Sequence, residues 1–171
     1  MRKLLLSTFA TALMLCLCSC GYRFGSLMHP QIHSIAIAPV VNETVAYNVG
    51  PQVRGLLCEA FQQDGSLQVK RESNADCILY ARVVNIKFTK SSWSSRYDDD
   101  SYVPTEWKVV MHIEYTVVVP GDLKPLIPTS KAKGSATFMT GADMEAGRVS
   151  GVRQAAYDAA KDIVHAVTEG W

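Results

Sequence analysis

The sequence CILYARVVNIKFTK at residues 77–90, followed by TEWKVVMHIEYTVVV at residues 105–119, decides the fold. Both stretches are rich in β-branched and aromatic residues, which favour β-strands. In the second stretch the apolar side chains alternate with a half-polar set, so one face of the strand can be buried. The two stretches therefore predict a long β-hairpin. The apolar face of its second strand consists of Trp107, Val109, Met111, Ile113, Tyr115, Val117 and Val119.

The predicted hairpin is longer than the elements that can cover it. At about 3.4 Å per residue, a strand of the length of the second stretch reaches roughly 50 Å. The predicted helix at residues 51–63 rises about 1.5 Å per residue and covers only about 20 Å. We therefore expect the hairpin to project beyond its own core and to offer a half-apolar surface to a partner.

Residues 91–104, SSWSSRYDDDSYVP, are expected to form a loop at the tip of the hairpin. The aromatic residues Trp93, Tyr97 and Tyr102 belong to the types that anchor protein interfaces, so they are the candidate contacts with a partner. Three adjacent carboxylates at residues 98–100 are expected to be solvated, because neighbouring side chains cannot all point inward to a cation. No metal site is predicted.

The rest of the pattern adds two helices and further strands. Strands are predicted at residues 34–41, 67–70 and 129–139, and the first is apolar on both faces, as in a mid-sheet strand. The helix at residues 51–63 has an apolar stripe of Val53, Leu56, Leu57, Ala60 and Phe61. A second helix, at about residues 144–168, has a stripe of Val149, Val152, Ala156, Ala159, Ile163 and Val167. The expected fold is α+β, with two helices packed on a mixed, mainly antiparallel sheet of four to five strands.

The N-terminus has the pattern of a bacterial lipoprotein signal. Arg2 and Lys3 precede an apolar run that is too short to span a bilayer. The run ends in LCSC at residues 17–20, with leucine at −3 and a small serine at −1 before the last cysteine. Cys20 is therefore predicted to become the first mature residue, with a diacylglycerol and an N-acyl chain that anchor it to a membrane. An ordinary cleaved signal with incidental cysteines is the alternative.

This signal divides the chain into a signal peptide at residues 1–19, a lipidated tether at residues 20–33 and a single domain at residues 34–171. The residue after the lipidated cysteine is Gly21 and not aspartate. In enteric-type bacteria this favours export to the outer membrane, with the domain facing the periplasm.

Composition and motifs exclude several classes of protein. The chain has 17 Lys and Arg against 16 Asp and Glu, and because two of the cations lie in the signal, the mature part has a charge of −1. A near-neutral chain is not typical of a nucleic-acid-binding protein. The sequence contains no GxSxG, no HExxH and no glycine-rich phosphate loop, so we predict neither enzymatic activity nor a cofactor.

Two cysteines remain outside the signal, Cys58 on a predicted helix and Cys77 on a predicted strand. An oxidising periplasm would allow them to pair. The preferred interpretation is that both are small apolar side chains that do not meet.

The lipoprotein cleavage motif (lipobox) at residues 17–20 runs into Cys-Gly-Tyr at residues 20–22. The predicted elements that follow are, in order, strand, helix, short strand, long hairpin, strand and C-terminal helix. In both respects the sequence resembles the LPS-assembly lipoprotein family, LptE. The segment TVVVPG at residues 116–121 is similar to the corresponding segment of that family. The resemblance implies a lipoprotein that sits as a plug inside the outer-membrane LPS transport barrel. It also implies help in assembling that barrel and binding of lipopolysaccharide.

The resemblance further implies that basic side chains near the hairpin tip and on the following strand bind LPS. Arginine and lysine can pair with lipid A phosphates through charge-assisted hydrogen bonds. The candidates in comparable places are Lys87, Lys90, Arg96, Lys131 and Lys133.

A second family remains possible. The strand that ends in PVVNET at residues 39–44 also resembles the opening of periplasmic activator lipoproteins that stimulate penicillin-binding proteins. The long hairpin and its tip fit that family less well.

We predict that Cys20→Ser leaves an uncleaved precursor that does not incorporate labelled palmitate, because Cys20 alone satisfies the −3 and −1 requirements. Metabolic labelling of the variant and of the parent chain measures this. Persistent label in the variant would place the anchor elsewhere.

Overall fold

In a computed structural model, which describes residues 31–96, 99–139 and 143–169, the described residues form six strands and two α-helices. The strands are β1 (Ser34–Ile37), β2 (Val41–Asn42), β3 (Gln68–Val69), β4 (Cys77–Arg96), β5 (Asp99–Val118) and β6 (Ile127–Met139). The helices are α1 (Val49–Asp64) and α2 (Met144–Thr168). Neither helix is long and apolar enough to cross a membrane.

All six strands belong to one mixed sheet with the order β3-β1-β4-β5-β6, and β2 also pairs with β4. The pairs β4–β5 and β5–β6 are antiparallel, whereas β1 is parallel to both β3 and β4. This confirms the predicted α+β fold and the mid-sheet position of β1. The sheet has six strands, more than expected, because the predicted strand at residues 34–41 divides into β1 and β2. Pro39 lies at the break and has no N–H group to donate to a neighbouring strand.

Both helices pack against the same side of the sheet, here called the covered face; the opposite side is the outer face. The covered face holds the core, and the predicted apolar face of β5 belongs to it, with Val109, Met111 and Ile113 fully inaccessible to solvent. The predicted stripe of α1 is also confirmed, because all five of its residues are buried. Gly65 ends α1 in the left-handed conformation, with φ of 73°, and its N–H donates to the carbonyl of Phe61.

Helix α2 begins at Asp143, whose carboxylate accepts hydrogen bonds from the backbone N–H groups of Glu145 and Ala146. Its predicted stripe is buried from Val152 onward, but the prediction for Val149 is wrong, since that side chain is 57% exposed. In its first two turns α2 faces the sheet with Gly147 and Gly151. A Cβ atom at Gly151 would lie 2.6 Å from the Phe138 ring, so only glycine allows this approach.

A β-bulge between Val83 and Asn85 reverses the sides of β4. Before the bulge, the side chains that face the helices are Cys77, Leu79, Ala81 and Val83. After it, Ile86 and Phe88 pack against the core, and Lys87 projects from the outer face.

The prediction of a loop at residues 91–104 is wrong. Strand β4 continues to Arg96 and β5 starts at Asp99, with Ser94 opposite Val103. A strand ladder is made by backbone N–H and C=O groups, so a polar sequence without apolar alternation can still pair. The register of β6 extends only to Met139, opposite Glu106, so the hairpin beyond that row consists of β4 and β5 among the described residues.

Cys58 and Cys77 are both free thiols, as the preferred interpretation of the sequence expected. Cys77 is fully buried at the start of β4, and its Sγ lies 3.5 Å from the carbonyl oxygen of Ser34. Burial raises the pKa of the Cys77 thiol to about 11. This thiol is therefore a small apolar core group and not a reactive one.

We predict opposite effects for two glycine-to-alanine changes. Gly134 of β6 lies against α2, where a Cβ atom would be 1.9 Å from the carbonyl oxygen of Ala155, so Gly134→Ala should cost about 1–3 kcal/mol. Gly55 is exposed within α1 with nothing near its Cβ position, so Gly55→Ala should stabilise the chain by about 0.5–1 kcal/mol. Urea unfolding of both variants measures the free energies. Equal effects would mean that α2 does not pack on Gly134.

Candidate functional site

The outer face carries most of the cationic residues predicted from the sequence. Lys87 of β4 and Lys131 and Lys133 of β6 project from it, and all three are exposed. Lys90 lies on the covered face beyond the bulge, with its ammonium nitrogen 5.7 Å from the centroid of the Trp107 ring. The structure therefore brings three of the predicted cations together and separates Lys90 from them.

The candidates at the hairpin tip are placed only by their backbone. Trp93 lies opposite Pro104, and Arg96 and Tyr102 belong to the paired ends of β4 and β5. The side chains of these tip residues, and the whole of Tyr97, lie outside the described part of the structure. Their roles stay predictions.

Glu114 holds two of the outer-face cations. Its carboxylate binds the guanidinium of Arg82, which also pairs with Glu43, and it lies 3.6 Å from the ammonium of Lys131. The hydrogen bond from Arg82 is the main cause that lowers the pKa of Glu114, and the same bond raises the pKa of Arg82. Because Lys131 shares this carboxylate, its charge is already partly balanced within the fold.

Three other lysines on the outer face form the lysine cluster: Lys87, Lys108 and Lys133. Lys87 lies opposite Val110 of β5, and Lys108 precedes Val110 by two residues in the same strand. The strand spacing and rise put their Cα atoms about 8 Å apart, and those of Lys87 and Lys133 about 12 Å apart. Within the described ranges, no carboxylate makes an ion pair with any of the three. The three ammonium groups of the cluster are therefore not engaged in ion pairs within the described part of the fold.

An amphipathic groove lies at the base of the outer face. Its rim residue Glu114 is near Lys133, whereas its wall residue Tyr80 is roughly 20 Å along the sheet from Lys87. The volume of the groove is about 230 Å³, and it is open to solvent. Pro39, Val41 and Tyr80 supply apolar walls, and Val41 and Tyr80 are 57% and 45% exposed. The Arg82–Glu114 pair forms its polar rim. One face of the sheet thus combines free cations with an apolar recess.

This arrangement can bind an anion that carries apolar chains. Ammonium groups on neighbouring strands can donate hydrogen bonds to phosphate oxygens. Across the part of the chain that the structure describes, no group of three or more His, Cys, Asp or Glu side chains could hold a metal ion.

Sequence reasoning missed Lys108 and the groove. Lys108 is in the alternating pattern of β5, on the same half-polar face as Glu106 and Val110. The alternation would have placed it on the outer face with Lys133, but its position next to Lys87 depends on the bulge in β4, which no sequence signal marks. The groove needs β2 beside β4, and that pairing is tertiary.

The sequence profile of the LptE family, described as lipopolysaccharide-assembly, matches residues 32–168. The match covers both helices and all strands of the described domain. No curated protein gives a significant match to the chain.

Solved structures from several bacteria share the fold. A protein described as a lipoprotein from Caulobacter crescentus CB15 superposes with a TM-score of 0.51 at 18% identity, over 77% of this chain and 87% of that one. A hypothetical protein from Chlamydia trachomatis superposes with a TM-score of 0.55 at 9% identity, over 80% of this chain and 98% of that one. A minor lipoprotein from Acinetobacter baumannii gives 0.52 at 9% identity, over 80% and 93%. At these identities the similarity shows a common fold.

Proposed function

The chain belongs to the LptE family of lipopolysaccharide-assembly proteins, and from this premise we propose that it is an outer-membrane lipoprotein that binds LPS on its outer face and plugs the LPS transport barrel. Acylation at Cys20 would tether the domain to the membrane through residues 20–33, most of which lie outside the described part. More than one acyl chain makes such a tether stable. The function needs no catalysis and no cofactor.

The observation that carries LPS binding is the lysine cluster on the outer face. Lipid A presents phosphates next to acyl chains, so a receptor needs unpaired cations on the same surface as an apolar recess. Lys87, Lys108 and Lys133 supply the cations, and the groove beside Tyr80 supplies the recess. Charge-assisted bonds to phosphate are stronger than those between neutral groups. Lys131 contributes less because Glu114 already holds it.

The plug role is supported by the length of the hairpin. Among the residues of β5 whose side chains the structure describes, the fully buried ones begin at Val109, whereas the backbone of β5 extends back to Asp99. A two-stranded ribbon is marginally stable alone in water. Inside a protein wall the same ribbon gains neighbours on both faces, and the aromatic residues Trp93, Tyr97 and Tyr102 would supply contacts of the kind that anchor interfaces.

We predict that changing Lys87, Lys108 and Lys133 together to serine weakens LPS binding by about ten-fold or more, which corresponds to about 1.4 kcal/mol. Titration of the detergent-solubilised full chain with LPS measures this. The matched control changes Lys70, Lys124 and Lys161 to serine, three exposed lysines away from the outer face, which removes the same charge. An equal loss in both variants would mean that attraction is non-specific and would remove the proposed site.

We further predict that depletion of this lipoprotein lowers the amount of correctly assembled LPS transport barrel. Deletion of residues 94–101 should weaken the complex with the barrel without changing the unfolding midpoint of the domain, because all the core residues that the structure describes lie outside that segment. Co-purification from solubilised membranes measures the complex. Recovery of a peptidoglycan synthase and no barrel would instead favour the activator function.

A further inference from the structure

Beyond the bulge, β4 has an open edge. Strand β1 pairs with β4 only as far as Leu79, and β2 only as far as Val83. From Ile86 onward β4 pairs with β5 on one side, and among the described residues no strand lies on its other side. Such an edge is a template for another strand unless the fold protects it.

The opposite edge of the sheet is protected. The backbone N–H of Ser135 in β6 donates to the carboxylate of Asp158 at 3.0 Å, and that of Lys133 lies 3.4 Å from the carboxylate of Asp162. Both aspartates belong to α2, which lies along β6. The fold therefore blocks one long edge with side-chain acceptors, whereas at Ile86 and Phe88 on the other edge no such acceptor is found among the described residues.

The register shows which peptide groups of β4 face the open edge. In an antiparallel pair, two opposite residues either bond to each other or both point away from each other. The N–H of Lys133 points away from β5, so the N–H and C=O of the opposite residue, His112, point away from β6 and toward β4. Opposite His112 is Asn85, which therefore bonds to β5, and the next residue, Ile86, points away from β5. By the same alternation, the N–H and C=O groups of Ile86 and Phe88 are directed to the open edge.

The charged residues of β4 along this edge are all basic, and its described side chains occupy two faces. From Ile86 onward, β4 contains the cations Lys87, Lys90 and Arg96 and no Asp or Glu. On the covered face the edge presents the partly buried Ile86 and Phe88, whereas on the outer face it presents Lys87. A strand added here would place apolar side chains beside Ile86 and Phe88 and the alternate side chains beside Lys87.

We propose that the open edge of β4 binds an extended segment of a partner protein in which apolar and acidic residues alternate. The backbone of Ile86 and Phe88 supplies the hydrogen bonds of strand addition, and the alternation and charge supply the selectivity. This interaction surface goes beyond the proposed function and does not depend on LPS or on the barrel.

Two other occupants fit the edge less well. A second copy of this chain would place β4 beside β4, and the cations of the two strands would repel each other. The chain's own tether at residues 20–33 contains Arg23, His29 and His33 and no acidic residue, so it lacks the complementary charge.

The test uses the detergent-solubilised full chain and two synthetic nine-residue peptides. One alternates valine with glutamate, and the other alternates valine with lysine. We expect only the glutamate peptide to bind and to slow the hydrogen exchange of the backbone amides of Ile86 and Phe88, because these donors point to the open edge. Protection at the β6 edge, binding of both peptides alike, or binding of neither would overturn the proposal.

Two variants at one position separate the backbone donor from the side chain. Ile86→Pro removes the N–H group that points to the open edge, and an edge strand tolerates proline at such a position. This variant should bind the glutamate peptide about ten-fold more weakly, or weaker still. Ile86→Ala keeps that N–H group and should lose clearly less affinity for the glutamate peptide than Ile86→Pro. Circular dichroism and the unfolding midpoint check that both variants are folded. Equal binding by the two variants would mean that no strand is added.

A second pair separates this surface from the lysine cluster. Lys87→Ser should weaken both peptide and LPS binding, because Lys87 lies on the edge strand and in the cluster. Lys133→Ser, two strands away on β6, should weaken LPS binding and leave peptide binding unchanged. If Lys133→Ser weakened both equally, the peptide would be binding to the cluster and not to the edge. Loss of LPS binding alone leaves the edge proposal intact, and loss of peptide binding alone leaves the proposed function intact.

Discussion

The bulge between Val83 and Asn85 is the constraint on which the rest of the structure depends. Without it, strict alternation would bring Lys87 to the covered face and move Ile86 and Phe88 to solvent. One extra residue keeps apolar side chains of β4 against the helices beyond Val83. The same residue places Lys87 beside Lys108 and directs the peptide group of Ile86 away from β5. The core contacts of β4, the lysine cluster and the open edge therefore all depend on this one bulge.

The sequence predicted the elements whose signal is periodic. Strand β5 and helix α1 each bury one side, so their apolar residues recur at intervals of two or of three and four, and the buried sets follow. In the structure, Gly65 at the end of α1 and Asp143 before α2 cap the helices through local hydrogen bonds. The LptE resemblance was confirmed by the match over residues 32–168.

What the sequence did not predict depends on tertiary contacts. The exposure of Val149 follows from the fit of Gly151 against Phe138, a contact between α2 and β6 that no local pattern encodes. The paired backbone near Ser94 has a polar sequence, which reads as a loop because pairing by peptide groups leaves no hydrophobic trace. The lysine cluster combines side chains from three strands, so it could not be seen before the register was known.

The aspartates that block the β6 edge have a consequence for the order of folding. Asp158 and Asp162 lie in the last helix, C-terminal to every strand that they protect. Because the N-terminal part of the chain becomes available for folding first, the sheet can assemble before α2 is present. Until α2 docks, both long edges of the sheet are unshielded. Early intermediates of this protein therefore carry a greater risk of intermolecular strand pairing than the finished fold. Docking of the final helix closes the β6 edge, so that among the described strands the finished fold leaves only one long edge, that of β4, open to pairing.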